Sequence, residues 1–538
     1  MNSKPSSSVM SAAFLITTAG LMSRALGLVR DRFLASTFGA GDTLDVYYAA
    51  FRIPDLVYNL LIFGALSAAF IPVFTSLMSR EKDEDAWKMA NGIMNLAILS
   101  IIILSAIFCI FAPFIMKIIT PGFPPEKLAK VVLFTRIMFL SPLFLGISGI
   151  LGGVLTSLKR FLIYSLAPLF YNLGIIIGVL VFVRFWGEAG LAWGVVFGAI
   201  LHMMVQYPAA RHLGFRHHWS IMEYFKNADV RRVFRLMIPR TLGIAINQIN
   251  LLIITIFAST LAAGSLAIFN FAQNIQSVPL GIIGSSFAIA VFPSLSSFAA
   301  KKEYNNFAES FSQTFRQILF FVIPLSVLIL LLRAQLVRVL LGAGKFDWED
   351  TTLTFQCLGI FALSLFAQSV IPLLARAFYA MHDTKTPFYI AVVTEIINIG
   401  AVILLISKYK ILGLAFAFSL ASLVQMLLLL FVLRARFDNL DDKRIIKSIS
   451  KIALASFAAG IGIQLTKHAV SRFVDMDTFS GVFIQLSASA MAGGVIFLLA
   501  VFLLRSEEFI NFKKSLTRKI FRDKKIIMED TSGVSGIN

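Results

Sequence analysis

Leu96-Ala97-Ile98-Leu99-Ser100-Ile101-Ile102-Ile103-Leu104-Ser105-Ala106-Ile107-Phe108-Cys109-Ile110-Phe111-Ala112-Pro113-Phe114-Ile115-Met116 contains no charged side chain and no alternation of polar and apolar residues. As an α-helix it rises about 30 Å, the thickness of the hydrocarbon core of a bilayer. Only a helix or a closed barrel satisfies its backbone polar groups there, because lipid offers no hydrogen bonds to an open sheet edge. Runs of this kind, punctuated by charges, Gly and Pro, recur along the chain and give about fourteen spans between residues 9 and 504. The 538 residues are 58% hydrophobic and 14% charged, with a mean hydropathy of +0.83. A soluble domain is about one quarter charged. The sequence therefore predicts an all-α integral membrane protein, and the continuous runs exclude the alternating strands of an outer-membrane barrel.

The net charge of +19 invites a nucleic-acid reading, but its placement favours membrane topology. Much of the excess lies in short loops and in the C-terminal tail, at Arg505, Lys513, Lys514, Arg518, Lys519, Arg522, Lys524 and Lys525. An even number of spans puts both termini on one side, and assigning them to the cytoplasm places most Lys and Arg inside. The basic loop around Arg211, Arg216, Arg231, Arg232 and Arg235 follows the same rule. The implied partners are anionic membrane lipids rather than nucleic acid. Cys109 and Cys357 fall inside apolar runs, which predicts packed thiols rather than a disulfide framework. The N-terminal apolar segment reads as a first span rather than a signal peptide, since it continues through Arg24 to Asp31 without a convincing cleavage site.

The chain repeats itself. Gly190-Leu191-Ala192-Trp193 is echoed by Gly413-Leu414-Ala415-Phe416, and Tyr171-Asn172-Leu173-Gly174 by Ile397-Asn398-Ile399-Gly400. Phe70-Ile71-Pro72-Val73-Phe74 is echoed by Val291-Phe292-Pro293-Ser294-Leu295, and all three pairs are separated by about 220 residues. Six spans fill one period, so both copies enter the membrane in the same sense, and the substrate path is expected between them. The expected organisation is an N-terminal lobe over 1–211, a basic cytoplasmic linker over 212–231 and a C-terminal lobe over 232–436. Helices 13 and 14 follow over 437–505, and a basic cytoplasmic tail over 506–538. The two pseudo-symmetric lobes hold six helices each.

Charges inside the spans carry the functional argument. A mid-bilayer Arg or Asp costs roughly 2.5–3.5 kcal/mol on the insertion scale, so such residues face a protein interior or water. Arg24, Arg30, Asp31 and Arg32 lie in the first span, and seven residues put Arg24 and Asp31 on one helix face. Asp45, Arg52 and Asn59 share a heptad spacing in the second, with Asp55 close by. Satisfied ion pairs such as Arg24–Asp31, with other charges snorkelling to the interface, are the structural alternative. The functional reading is a water-filled, cation-lined cavity for an anion, since guanidinium forks match phosphate oxygens. Asn247 and Asn250 in the seventh span, with Thr394, Glu395 and Asn398 in the eleventh, form a candidate coupling-cation site. Hydrogen bonding between helices explains the same residues equally well.

Several enzyme signatures are missing. Gly342-Ala343-Gly344-Lys345-Phe346 lacks the leading glycine and the hydroxyl residue of a phosphate loop. The histidines form no pair at i, i+4 suited to zinc, and His217-His218 reads as a solvated part of a basic loop. Asp83-Glu84-Asp85 mimics an acidic sugar-transferase motif but reads as a solvated charge run. No loop is long enough for an extracytoplasmic catalytic domain, so the expectation is a transporter without a cofactor and not an enzyme.

Ser23-Arg24-Ala25-Leu26-Gly27-Leu28-Val29-Arg30-Asp31, followed by Phe38-Gly39-Ala40-Gly41 and Asp45, resembles the first-helix signature of the MurJ (MviN) family of lipid II flippases. Gly64-Ala65-Leu66-Ser67-Ala68-Ala69-Phe70-Ile71-Pro72 is similar to its second-helix motif. Ala377-Phe378-Tyr379-Ala380-Met381-His382-Asp383-Thr384-Lys385-Thr386-Pro387 is similar to its loop between helices 10 and 11. The resemblance implies a fourteen-helix member of the multidrug/oligosaccharidyl-lipid/polysaccharide exporter superfamily in the bacterial inner membrane. Its implied substrate is lipid II, the undecaprenyl-diphosphate-linked disaccharide-pentapeptide, moved from the cytoplasmic to the periplasmic leaflet for cell-wall synthesis. The implied mechanism is alternating access of the lobes, driven by membrane potential or by a sodium or proton gradient, with the cell-wall synthesis machinery as a protein partner. By similarity Arg24, Arg30 and Asp45 occupy positions important in the family, and Arg52 one that is usually basic. Together with Asp31 and Asn274 they are the candidate substrate-binding residues. Two departures stand out: Tyr58 and Asn59 replace an Arg pair of some relatives, and Asn274 replaces an Arg in the eighth span. Those changes imply either that diphosphate binding leans more on the N-terminal lobe or that the substrate differs in detail.

An exporter of another undecaprenyl-diphosphate-linked oligosaccharide, of the O-antigen type, shares the cavity logic but not these motifs. A membrane-embedded glycosyltransferase would show acidic catalytic residues facing one leaflet.

Overall fold

The computed structural model describes residues 7–63, 70–219, 228–437 and 439–511. The Gly64–Ala69 part of the second-helix motif, the centre of the linker and most of the basic tail lie outside them. The first helices are α1 (Ser7–Phe38), α2 (Asp42–Tyr58), α3 (Ile71–Met78), α4 (Asp83–Ile119), α5 (Pro125–Met138) and α6 (Leu140–Ser157). They are followed by α7 (Phe161–Ile177), α8 (Val183–Trp186), α9 (Ala189–His212), α10 (Ala228–Ser259), α11 (Ser265–Pro279) and α12 (Ser286–Ala300). The last are α13 (Tyr304–Leu340), α14 (Trp348–Ala380), α15 (Lys385–Arg434), α16 (Asp442–Val470) and α17 (Phe479–Leu503). No strand occurs among the described residues, in keeping with the all-helical expectation.

Among the described residues, ten helical stretches, some joining consecutive helices such as α5 and α6, are long and apolar enough to cross a membrane. The eleventh and twelfth expected spans are the two arms of α15, broken where Lys410 leaves helical geometry at φ 49°. The first and seventh expected spans overlap α1 and α10, and the second begins in α2, a helix of 17 residues. The opening stretch lies in α4, where Ile103, Ile107, Ile110, Phe111 and Phe114 are exposed along one side. An apolar patch of that size is a liability in water and an ordinary surface in lipid. The chain is a multi-pass membrane protein.

Contacts divide the chain into two compact units, one of Met1–Ile275, Leu340–Cys357 and Glu395–Ala417, the other of Gln276–Val339, Leu358–Thr394 and Phe418–Asn538. In the first, α7 and α9 meet through glycines. A Cβ on Gly178 would stand 2.4 Å from the Gly194 Cα, and one on Gly174 2.3 Å from the Gly198 Cα. Small residues let helix backbones approach where lipid supplies no hydrophobic drive. The Gly174 and Gly190 motifs of the sequence repeat are thus explained as a backbone contact.

In the second unit, α16 and α17 pack as a hairpin, with Ile452, Ala455, Ala459, Phe497 and Val501 buried against Phe320 of α13. The 381–387 motif is a clasp. Asp383 accepts from the amides of Lys385 and Thr386 and from the Thr386 hydroxyl, capping the start of α15, and also receives Arg436. Burial raises the Asp383 carboxyl, but the Thr386 hydroxyl and amide and Arg436 outweigh it and hold the group at about 2. Because the folded value is depressed, this stabilisation is present at neutral pH and is lost only as pH falls through the range from about 4 to about 2.

A π-helical turn follows α2 at Asn59–Phe63, and another follows α11 at Leu280–Ser285. They occupy equivalent places about 220 residues apart, so the repeat extends to a shared local unwinding.

Gly194→Ala is expected to cost about 1–3 kcal/mol, the usual penalty of overpacking, because its methyl group would meet the Gly178 backbone. Gly400→Ala serves as the control, since nothing lies within 4 Å of a Cβ there. Thermal unfolding in detergent should lower the transition for the first variant and leave the second unchanged or raised.

Candidate functional site

The site lies within the first unit and begins at the turn between α1 and α2. Gly39 takes φ +66°, a left-handed conformation that glycine adopts without strain. A Cβ there would also strike the Lys345 carbonyl at 2.8 Å. The turn is fixed by two bonds to the segment around residue 345: the Ala40 amide donates to Asp350 (2.7 Å) and the Lys345 amide to the Ser36 carbonyl (2.9 Å). Gly344, at φ +59°, allows that approach. The fragment that looks like part of a phosphate loop is therefore a docking turn for the end of α1.

Asp45, in the first turn of α2, is 2% exposed. Its carboxylate accepts the Gly264 amide (2.8 Å), the Ala267 amide (3.1 Å) and the Lys127 ammonium (2.9 Å). Lys127 also reaches Asp42 at 2.6 Å and lies 3.9 Å from the Phe123 ring centroid. A carboxylate removed from water persists only when its oxygens are filled in this way. Gly264 is held so close to the Ala40 carbonyl that a Cβ would stand 1.8 Å from that oxygen. The α10–α11 turn is thereby bonded to the α1–α2 turn.

Arg52 lies one heptad, about 10 Å, further along the same face of α2. Its Nε donates to Thr255 Oγ1 (2.8 Å) and its Nη2 to Asn270 Oδ1 (3.0 Å), both buried. Neutral oxygens orient a guanidinium without cancelling its charge, and the Asp55 carboxylate, one turn further on α2, lies within electrostatic reach of it. Arg30 donates from Nε and Nη2 to Asp31 Oδ1 (3.0 and 2.8 Å) and from Nη1 to Asn172 Oδ1 (3.0 Å). The other Asp31 oxygen accepts the Asn274 amide at 2.9 Å. Asp31 thus pairs with its neighbour Arg30 rather than with Arg24 two turns back, which is partly exposed. Asn274 joins the network as a hydrogen-bond donor. The structure brings Arg30, Asp31 and Asn274 together, and separately centres Asp45 on Lys127 and Arg52 on Thr255 and Asn270.

The candidate cation residues divide. Asn250 and Asn398 both donate to Glu395, at 2.6 and 3.3 Å. The Asn398 Oδ1 is buried and makes no hydrogen bond. Thr394 gives its hydroxyl to the Ala391 carbonyl of its own helix. The Asn247 side chain lies outside the described residues. His217 is a correction: it is not simply solvated, because its Nε2 lies 2.7 Å from Asn95 Oδ1. Asn91 and Asn95, one turn apart on α4, grip the 216–218 backbone. Burial, then the neighbouring His218, lowers the His217 pKa.

Sequence reasoning passed over Lys127, Thr255 and Asn270. A lysine two residues after Pro125 reads as an ordinary helix start, and nothing local shows that it reaches Asp45, 82 residues away.

A polytopic helical chain that holds Arg30, Asp45 and Arg52 in polar networks among its helices belongs to the class of membrane transporters. Solved structures agree on the fold. A lipid II flippase MurJ in an inward closed conformation superposes with a TM-score of 0.75 at 24% identity, covering 91% of this chain and 99% of that one. A multidrug resistance MATE transporter of the MOP superfamily, inward-facing, gives 0.67 at 12% identity, covering 78% and 96%. The family model described as lipid II flippase MurJ matches residues 34–517, and the chain belongs to that family. A probable lipid II flippase MurJ of Buchnera aphidicola (Acyrthosiphon pisum) is 30% identical, over 89% of this chain and 94% of its own length. The lipid II flippase MurJ of Burkholderia cenocepacia is 28% identical, over 71% and 77%.

Lys127→Met should leave Asp45 as a buried carboxylate without its cation, a loss of about 3–5 kcal/mol for a broken buried pair. Hydrogen exchange at residues 259–267 should then accelerate, while exchange at 91–95 should not change. Equal exchange in variant and wild type would show that the Asp45 contact does not hold the turn.

Proposed function

We propose that this chain is the lipid II flippase of a bacterial inner membrane, carrying the lipid-linked peptidoglycan precursor from the cytoplasmic to the periplasmic leaflet. It is a transporter and not an enzyme. The observation that carries the substrate class is Arg52, buried in the first unit with neutral partners and so able to exchange them for phosphate oxygens. Arg24 and Arg30 supply further cations on α1, and Asp31 and Asn274 fix the orientation of Arg30. Alternating access of the two sequence lobes carries the head group, with both termini in the cytoplasm and the basic tail against anionic lipid. Membrane potential or a sodium or proton gradient drives the cycle, and the cell-wall synthesis machinery consumes the product. For sodium, the supporting donors are Glu395 and the unbonded Asn398 Oδ1. The amides of Asn250 and Asn398 now donate to Glu395, so they would have to turn before their oxygens faced a cation there.

Reconstituted protein with fluorescent lipid II tests the reading. A charge-assisted hydrogen bond contributes about 1.5–3 kcal/mol, so Arg52→Gln should slow flipping by roughly one to two orders of magnitude with an unchanged amount of protein. Wild-type transport of an O-antigen-type lipid in preference to lipid II would overturn the substrate assignment. Equal rates for Arg52→Gln and wild type would overturn the role of Arg52.

A further inference from the structure

A second buried polar group lies in the first unit, away from the arginines. Ser148 of α6 is fully buried, and its Oγ is 2.7 Å from His202 Nδ1 and 3.1 Å from the His202 carbonyl of α9. Gln206, one turn further on α9 and 1% exposed, donates from Nε2 to Ser148 Oγ at 2.8 Å. A serine hydroxyl has one proton and two acceptor positions. All three short contacts are hydrogen bonds at once only if the hydroxyl proton goes to the His202 carbonyl and both Nδ1–H and Gln206 donate to the oxygen. Gln206 Nε2 also lies 3.5 Å from Nδ1, a long contact between two donors in this arrangement and so not a hydrogen bond. The three short contacts place a proton on Nδ1 and leave Nε2 as the atom that can gain or lose one.

Two further observations point to an exchangeable proton. Gln206 Oε1 is buried and has no hydrogen-bond partner. It lies where Gly152 has no side chain, 3.0 Å from the position of a Cβ there, with the Tyr164 ring equally close to that position. A buried acceptor left unfilled one helical turn from the imidazole is a place that a proton donor would satisfy. His202 also lies about 20 Å from one end of α9 and about 15 Å from the other, near the bilayer midplane. Ionisable residues at that depth are costly and mark ion or proton pathways.

The surroundings hold little other charge. From α7 come the Tyr171 ring, edge-on at 6.4 Å, and Tyr164. From α6 comes only Ser148. Arg136 of α5 is bonded to the Cys109 carbonyl, and the π-helical turn Gly178–Phe182 has no titratable residue. Arg184 of α8 is at the opposite end of α9 from Arg211 and His212, and Tyr207 beside Gln206 is exposed.

We propose that His202 is a proton-binding site of the N-terminal helices, gaining a proton at Nε2 while Ser148, itself held by Gln206, holds Nδ1, and that this proton is loaded and released in the transport cycle. The binding step stands on the geometry above. The coupling step rests on the reading of the chain as a flippase.

Two measurements on the full-length protein separate these. Imidazole nitrogen resonances of histidine-labelled protein in nanodiscs, with His202→Gln for assignment, should show a signal that converts from the Nδ1–H tautomer to imidazolium as pH falls. Ser148→Ala should release the tautomer to a mixture. In proteoliposomes, an imposed pH gradient should change lipid II flipping by about tenfold, the scale of a typical coupling energy, and His202→Gln should abolish that response. A His202 signal that stays neutral until the protein unfolds overturns the site. A titrating signal with an unaltered gradient response in His202→Gln overturns the coupling. If wild type moves no lipid II, the substrate reading fails while the titration still decides the site.

Discussion

The cost of a charge in hydrocarbon governs this molecule. Each interior arginine or aspartate must be surrounded by polar partners, and those partners come from distant parts of the chain. Asp45 draws on Lys127 and on backbone amides at 264 and 267, Arg52 on Thr255 and Asn270, and Asp31 on Arg30 and Asn274. The charges thereby organise the first unit: α2, α5, α10 and the start of α11 meet where α2 needs counter-groups. Apolar packing in lipid does not specify such meetings, because one leucine face resembles another.

The kinds of partner differ in a way that suits transport. Asp45 is saturated by a cation and two amides, which makes it a closing contact between turns. Arg52 is held by a hydroxyl and an amide oxygen, which orient it without neutralising it. A closing contact must be strong and breakable, and a carboxylate that keeps Lys127 when it releases the amides is never left without a partner. The substrate-binding role proposed for Arg52 requires an arginine positioned without losing its charge. The two proposed roles follow from partner chemistry rather than from residue type alone.

Much of the architecture was legible in the sequence because the membrane restricts the options. Continuous apolar runs specify helices, and the glycine motifs near 174 and 190 specify where two of them touch. The break within α15 at Lys410 lies in the short basic stretch between its two arms. The network around Arg30 was less legible, since seven-residue spacing suggested Arg24 as the partner of Asp31 while the adjacent residue took that place. Lys127 and the Asn91–Asn95 grip on the 216–218 backbone are contacts across long separations, and no local pattern encodes them. Asn274 was read as a lost charge. Its amide instead fills the second oxygen of Asp31, a role visible only once the helices are assembled.

The most direct test is complementation of a bacterium depleted of its own lipid II flippase, with this chain expressed and its membrane level confirmed. The account predicts sustained growth with normal cell shape and no build-up of lipid-linked precursor. Lysis with precursor accumulation, while the protein stands in the membrane at the level of the native flippase, would contradict it.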